Sequence, residues 1–421
     1  MADYDDFTYD VIVVGAGVMG SSTAYQIAKR GQKVLLLEQF DFLHHRGSSH
    51  GESRTTRVTY PEDYYPKMVL HSEKLWQEAE SEVGYKVYFK TPQFDMGPKD
   101  SKSLQAVISS CRKNSIPFRI LDHDDEVKGF CGKFHLGDHE DWIGVVNEHG
   151  GVIKPTKAVS MFQTLAFKHG ARMKDNTEVS DIKRDDSNNG IVVITKEKQR
   201  FWCSKCVVTA GAWMQKLVQK VSDLTLPIQP LQTAVHYWKI KEGYEDDFKI
   251  ENGFPTFASY GEPYIYGTPS LEFPGLIKVA VHGGNPCDPD KRTWTNGGGG
   301  AASVPLNSLR EWVRSKFGDV VDAVNGPVMA QSCMYSMTPD EDLIIDFLGA
   351  EFGNDVVVAG GFSGHGFKMA PIIGKVLSQL AIDGQLLEDI NSIVELKYFR
   401  IQRFEENPKG NLKEFEDQVG R

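Results

Sequence analysis

The hexapeptide Gly15-Ala16-Gly17-Val18-Met19-Gly20 constrains this chain more than any other feature, because of what flanks it. Tyr9 to Gly15 is a nearly continuous apolar run that reads as a buried strand, and Val18 to Arg30 reads as a helix stopped by Gly31. Lys33 to Glu38 reads as a second strand, which makes the segment a β-α-β unit. Glycines at such a strand-to-helix turn allow a tight bend, close approach of a pyrophosphate to the backbone, and close packing of helix on sheet. Glu38 ends the second strand where a carboxylate accepts hydrogen bonds from ribose hydroxyls, and it would repel a ribose 2′-phosphate. Gly15, Gly17, Gly20 and Glu38 therefore point to FAD or NAD rather than NADP, and they do not separate the first two.

At 421 residues the chain exceeds one typical core, so two domains or one large α/β unit are expected. Asp355 to Ala359 reads as another buried strand, followed by a glycine-rich turn and a helix from Phe367 to Ile382, which allows the two ends of the chain to share one sheet. Lys205 to Thr209 adds a strand closed by Ala210-Gly211-Ala212, whereas Thr233 to Ile240 and Leu276 to His282 read as strands of a more open sheet. Gly297 to Gly300 reads as a surface loop, since glycine is entropically costly inside an element.

Charge and cysteine usage exclude several classes. A net charge of -10 disfavours nucleic acid, whose binding draws on Lys and Arg against phosphates. No stretch is apolar enough for a membrane span, and the acidic start Met1-Ala2-Asp3-Tyr4-Asp5-Asp6 is unlike a secretory leader. The cysteines Cys111, Cys131, Cys203, Cys206, Cys287 and Cys333 are too scattered for a disulfide framework and fit a reducing compartment. Cys203 and Cys206 have redox-motif spacing, but they lead into a strand rather than opening a helix, which weighs against a stabilised thiolate. No metal site is expected.

Three further blocks carry a resemblance: Arg46-Gly47-Ser48-Ser49-His50-Gly51-Glu52-Ser53-Arg54-Thr55-Thr56-Arg57, Cys333-Met334-Tyr335-Ser336-Met337-Thr338-Pro339-Asp340-Glu341, and Gly361-Phe362-Ser363-Gly364-His365-Gly366-Phe367-Lys368. Together with the glycine motif they resemble the monomeric sarcosine oxidase family of FAD amine oxidases, in particular its plant-type sarcosine/pipecolate oxidases, over nearly the whole chain. The resemblance implies FAD bonded covalently to the Cys333 sulfur, with His50 and Arg54 beside the flavin ring. It implies that Arg57 and Lys368 hold a substrate carboxylate, that His365 lies near the flavin edge, and that Tyr266 and His282 line the substrate pocket. Lys278 takes the position of an oxygen-activating lysine. Ser48, Ser49, Val179, Gly364, Gly366 and Lys368 complete the expected cofactor contacts, Ser49 standing where bacterial members commonly carry His.

The residues support parts of this independently. Arg54 and Arg57, three apart, would share a side if their segment were helical. Lys278, Ala280 and His282 share one face of a strand, and a lysine in an otherwise apolar strand is an expensive choice unless it is used. The expected architecture is α/β: a Rossmann-like FAD-binding domain, discontinuous over 1–90, 150–225 and 325–400, interleaved with a mixed-sheet substrate domain over 91–149 and 226–324, and a C-terminal tail at 401–421. The expected activity is oxidation of a small secondary amino acid such as sarcosine or L-pipecolate to an imine, with molecular oxygen reduced to hydrogen peroxide. The alternatives are a flavin dehydrogenase using another acceptor and a non-catalytic dinucleotide-binding protein. A monomer in the peroxisome or cytosol is expected, although the chain ends Gln418-Val419-Gly420-Arg421 without a terminal Ser-Lys-Leu signal.

Overall fold

A computed structural model describes residues 8–136, 141–185, 189–271, 273–291, 306–413 and 415. The expected Gly297–Gly300 loop, the acidic start and the last four residues lie outside the described residues. Tyr9–Val14, Val34–Leu37 and Val18–Lys29 form as the sequence predicts, two strands and the helix between them. Tyr9–Val14 pairs in parallel with Val34–Leu37 on one side and with Arg200–Val208 on the other. Arg200–Val208 pairs in parallel with Val356–Gly360 in turn, so the two ends of the chain do share one sheet. Eight strands of the described residues make this sheet, in the path Ile344–Phe347, Val356–Gly360, Arg200–Val208, Tyr9–Val14, Val34–Leu37, Arg172–Lys174, with Val179–Asp185 and Gly190–Thr195 branching from it.

The sheet is parallel at its centre and buried there, as near-continuous apolar strands require. Helix Val18–Lys29 covers it, flanked by Pro155–Lys168 and Ala370–Asp383. The last of these starts three residues late, because Phe367–Met369 is a 3-10 turn. Gly20 makes the close helix-strand approach possible: a Cβ there would lie 1.8 Å from the Gly15 carbonyl oxygen and 2.6 Å from Thr209 Oγ1. Gly374 does the same for the neighbouring helix against Ser22 Oγ, at 2.4 Å. Cys203 and Cys206 are buried in this sheet, and burial pushes the Cys206 thiol up to about 12, which gives no support to a redox pair.

A second mixed sheet, of ten strands among the described residues, runs through Gln229–Lys239, Leu276–Val281, Ile265–Thr268, Thr256–Ser259, Tyr88–Pro98, Trp142–Ile153 and Arg54–Arg57. Gln229–Lys239 is its pivot for the site. It sets Tyr237 opposite Lys278 on one side and Thr233 opposite Cys333 on the other. Arg54–Arg57 is an edge strand paired with Trp142–Ile153, not a helix, so helical spacing is not what relates the two arginines. Segments 54–57 and 329–337, within the ranges 1–90 and 325–400, hydrogen-bond in this second sheet.

The described part of 401–421 docks on buried acids. Arg403 donates from Nε to Asp340 Oδ2 at 2.7 Å and from Nη2 to Oδ1 at 3.1 Å, and Asn411 Nδ2 donates to Asp342 Oδ2 at 2.8 Å. Tyr64 and Tyr65 donate their hydroxyls to the same Asp342 at 2.7 Å.

Gly20→Ala is expected to cost about 1–3 kcal/mol by forcing the helix off the sheet, seen as a lowered unfolding temperature. Gly17→Ala, whose Cβ would meet only the Ser49 side chain within 4 Å, should stay close to the unsubstituted protein; equal losses at the two positions would contradict this packing account.

Candidate functional site

Two adjoining cavities define the site. The first, about 300 Å³, starts at the strand-to-helix turn, where Gly15, Gly17 and Val18 line it with Glu38, and passes Ser48, Ser49 and Val179. Gly15 has φ +96° and a Cβ there would strike the Thr209 carbonyl, so its role is backbone geometry, while Gly17 keeps the ligand side of the turn open. The Val18 N–H donates to Ser49 Oγ at 3.1 Å, which draws the 46–51 turn over the start of the helix. Glu38 Oε2 accepts from the Ala16 N–H at 2.8 Å and Oε1 from the Phe40 N–H at 3.1 Å, so the carboxylate is aimed by backbone donors.

The second cavity is smaller, about 150 Å³. Arg57, Lys368, Lys278, Tyr266, His282 and His365 all line it. The arginine donates from Nη1 to Tyr260 Oη at 3.0 Å and from Nη2 to Tyr264 Oη at 3.1 Å, and also to the Thr59 carbonyl. Burial opposes its charge, but Tyr260, Tyr264 and Asp95 offset that and keep its pKa well above the ordinary arginine value. Lys368 is the opposite case: burial, and then repulsion from Arg57, hold it well below the usual lysine range.

Hydrogen bonding fixes the protonation of the neighbouring histidine. The Glu341 carbonyl lies 2.8 Å from His365 Nε2 and can only accept, so Nε2 carries the proton. Nδ1 then accepts from the Tyr60 hydroxyl at 3.1 Å, and Tyr60 Oη accepts from Lys368 Nζ at 2.9 Å. Burial and the nearby Lys368 push His365 well below its ordinary value, in keeping with a neutral ring. His365 is thus a fixed acceptor that aims Lys368 through Tyr60.

Lys278, 3% exposed, donates to the Ser53 carbonyl at 3.0 Å and to Ser53 Oγ at 3.2 Å. Burial, and then Arg54, lower its pKa to about 7. Tyr266 Oη lies 3.1 Å from Tyr335 Oη, and the His282 ring sits 5.3 Å from both the Tyr264 and Tyr335 rings with Nε2 3.8 Å from Glu341 Oε2.

The cavities meet where Arg54, Cys333, Tyr335, Gly364 and Phe367 line both. Arg54 donates to the carbonyls of Ser48, His50 and Ser53 and lies 3.4 Å from Cys333 Sγ. Gly364 has φ +76°, and a Cβ there would enter the Tyr335 ring at 2.8 Å, so only glycine lets the backbone lie against that ring. This arrangement suits an FAD: a glycine turn and carboxylate at one end, and a thiol, a guanidinium and a flat backbone wall at the other.

Two sequence-selected residues do not reach either cavity wall. Gly20 packs inside the helix-sheet contact, and His50 is buried with its carbonyl holding Arg54. Gly366 lines the first cavity, whereas Lys368 lines only the second. Tyr60, Tyr260, Tyr264, Tyr335, Glu341 and Phe415 were not selected by sequence reasoning, although Tyr335 and Glu341 stand inside the block around Cys333.

Residues 10–380 match the family described as DAO, FAD dependent oxidoreductase. The chain is 60% identical over 416 residues to a probable sarcosine oxidase of Arabidopsis thaliana, covering 99% of this chain and 97% of the relative. It is 34% identical to peroxisomal sarcosine oxidase of Homo sapiens, covering 96% and 98%, and 34% identical to monomeric sarcosine oxidase of Bacillus sp. (strain B-0618), covering 91% and 94%. Among solved structures it resembles NikD, an unusual amino acid oxidase essential for nikkomycin biosynthesis, with TM-score 0.76 and 22% identity over 92% of this chain and 97% of that one. The L-proline dehydrogenase from P. horikoshii is as similar, with TM-score 0.75 and 22% identity over 95% and 98%. Both likenesses show the fold, which therefore does not choose between oxidase and dehydrogenase. The chain belongs to the FAD dependent oxidoreductases, and within them to the sarcosine oxidase relatives.

Proposed function

We propose that this protein oxidises small secondary amino acids, with sarcosine, L-pipecolate and related N-methyl or cyclic amino acids as substrates, giving an imine and hydrogen peroxide. The observation that carries the reading is the small second cavity, where Arg57 and Lys368 converge and which abuts the Cys333 and Arg54 end of the cofactor cavity. The names of the sarcosine oxidase relatives support it. When bound, FAD supplies the acceptor for a hydride equivalent from the carbon beside the amine. We further propose that it is attached through Cys333, which lines both cavities.

The residues of the chain bind and orient. Arg57 and Lys368 take the carboxylate, and the phenols of Tyr60, Tyr260 and Tyr264 fix those two cations in place. Tyr266 and His282 border the remaining space, which leaves the amine in a largely water-excluded site that favours its neutral form. From sarcosine the imine would hydrolyse to glycine and formaldehyde, whereas L-pipecolate would keep its ring. Peroxide as product, and the peroxisomal naming of the human relative, support a peroxisomal location; the bacterial relative's name supports a monomer.

Removing either Arg57 or Lys368 should weaken turnover of an amino acid by about 2–5 kcal/mol, with little change for the decarboxylated amine. Equal loss on both would assign them to the cofactor or the fold. Because Lys368 is held below its ordinary pKa, a carboxylate that restores its charge must bring a proton with it. Acetate should therefore bind more weakly as pH rises past that lowered pKa, and Lys368→Met should flatten the dependence.

Lys278→Met removes a cation while keeping much of the side-chain length. It should slow reaction of the reduced enzyme with oxygen far more than anaerobic reduction by substrate, since a positive charge there favours electron uptake by oxygen. In the unsubstituted enzyme the oxygen reaction should slow as pH rises through about 7, where the ammonium loses its proton. An unchanged oxygen reaction in stopped flow would remove the local support for an oxidase and favour another electron acceptor.

A further inference from the structure

We infer that Phe415, carried by the C-terminal segment, sets the upper size of substrate that the second cavity admits; the inference rests on the proposed function and names a specificity residue for it. Phe415 lines that cavity beside Pro61, Glu62 and Ser103, far along the chain from the strands of the second sheet that supply Arg57, Tyr266 and Lys278. Its carbonyl accepts from Ser103 Oγ at 2.9 Å, and Ser103 is itself buried in the first turn of helix Lys102–Lys113.

Two residues earlier, Lys413 Nζ lies 2.6 Å from Glu62 Oε1 and 3.4 Å from Asp342 Oδ1, with side-chain exposures of 4%, 13% and 0%. Asn411 and Arg403 fasten the preceding turn to Asp342 and Asp340. Such a set of buried, paired charges over-determines the placement of residues 403–413, which is more than a loose terminal segment needs.

The division of labour follows from chemistry. Arg57 and Lys368 engage a carboxylate that every amino acid offers, so they give affinity without selecting by size. Selection by size needs an apolar wall that does not yield, where one methylene is worth about ten-fold or more in discrimination. A phenyl ring on a pinned chain is such a wall, and Tyr264 and Tyr266, committed to hydrogen bonds with Arg57 and Tyr335, are not free to enlarge the space in its place.

The test uses full-chain holoenzyme with Phe415→Ala, Phe415→Leu and Phe415→Trp. The ratio of kcat/KM for L-pipecolate or N-ethylglycine to that for sarcosine should rise by about ten-fold in the alanine variant, rise less for leucine, and fall for tryptophan. Lys413→Met, which loosens the chain before the ring, should move the ratio in the alanine direction. Dissociation constants for acetate, propanoate and butanoate, read from flavin absorbance, should follow the same order. If no secondary amino acid is oxidised by the unsubstituted enzyme, the proposed function fails, while the carboxylate series still judges Phe415. Should alanine fail to fold, leucine and tryptophan still move the ratio in opposite directions. Ratios that stay level across the variants, in both turnover and carboxylate binding, would overturn the inference.

Discussion

Four cations, Arg54, Arg57, Lys278 and Lys368, line one small cavity, and the rest of the site is arranged around that excess of positive charge. Of the acids nearby, Glu341 lies 3.8 Å from His282 Nε2. Glu62 is paired with Lys413, and the buried Asp95 behind Arg57 has its carboxyl raised by burial despite the pull of the arginine. Burying like charges together is costly, and the cost appears as the lowered pKa values of both lysines. A site in this state gains from any anion that enters, which is the physical basis for assigning a carboxylate to Arg57 and Lys368. An FAD held where the cavities meet would find negative charge on its reduced form favoured by Arg54 and Lys278.

Neutral groups hold these cations at their stations. Phenols and carbonyls do most of it: Tyr260 and Tyr264 on Arg57, Tyr60 and the His365 carbonyl on Lys368, three backbone carbonyls on Arg54, and Ser53 on Lys278. Neutral acceptors orient a cation without cancelling it, so the charge remains available to a ligand. The second sheet supplies the rigidity. Its strand Gln229–Lys239 sits between the strands that carry Lys278 and Cys333, so the two are spaced by hydrogen-bond registers rather than by loops.

The β-α-β unit and its glycines were legible because their causes are local: a strand, a turn and a helix within thirty or so residues, each with its own period and stop signal. Lys278 was legible because a lone ammonium in an apolar strand contradicts its surroundings. The strand character of Arg54–Arg57 was not, since it comes from pairing with Trp142–Ile153 nearly a hundred residues away. The phenols around Arg57 and Lys368 were hidden for the same reason: Tyr60, Tyr260 and Tyr264 look like ordinary core aromatics until the folds of distant segments bring their hydroxyls to the cations. Phe415 lay in what read as a tail, and only the buried partners of Lys413, Asn411 and Arg403 show that this segment is part of the cavity wall.

The central proposal is that FAD would be held through Cys333, where the two cavities meet beside Arg54. The most direct measurement is peptide mapping by mass spectrometry of acid-denatured holoenzyme. The account predicts the flavin mass on the peptide that contains Cys333, and its loss with Cys333→Ser. Flavin recovered on a peptide holding a different residue, or released entirely into the acid supernatant, would contradict it.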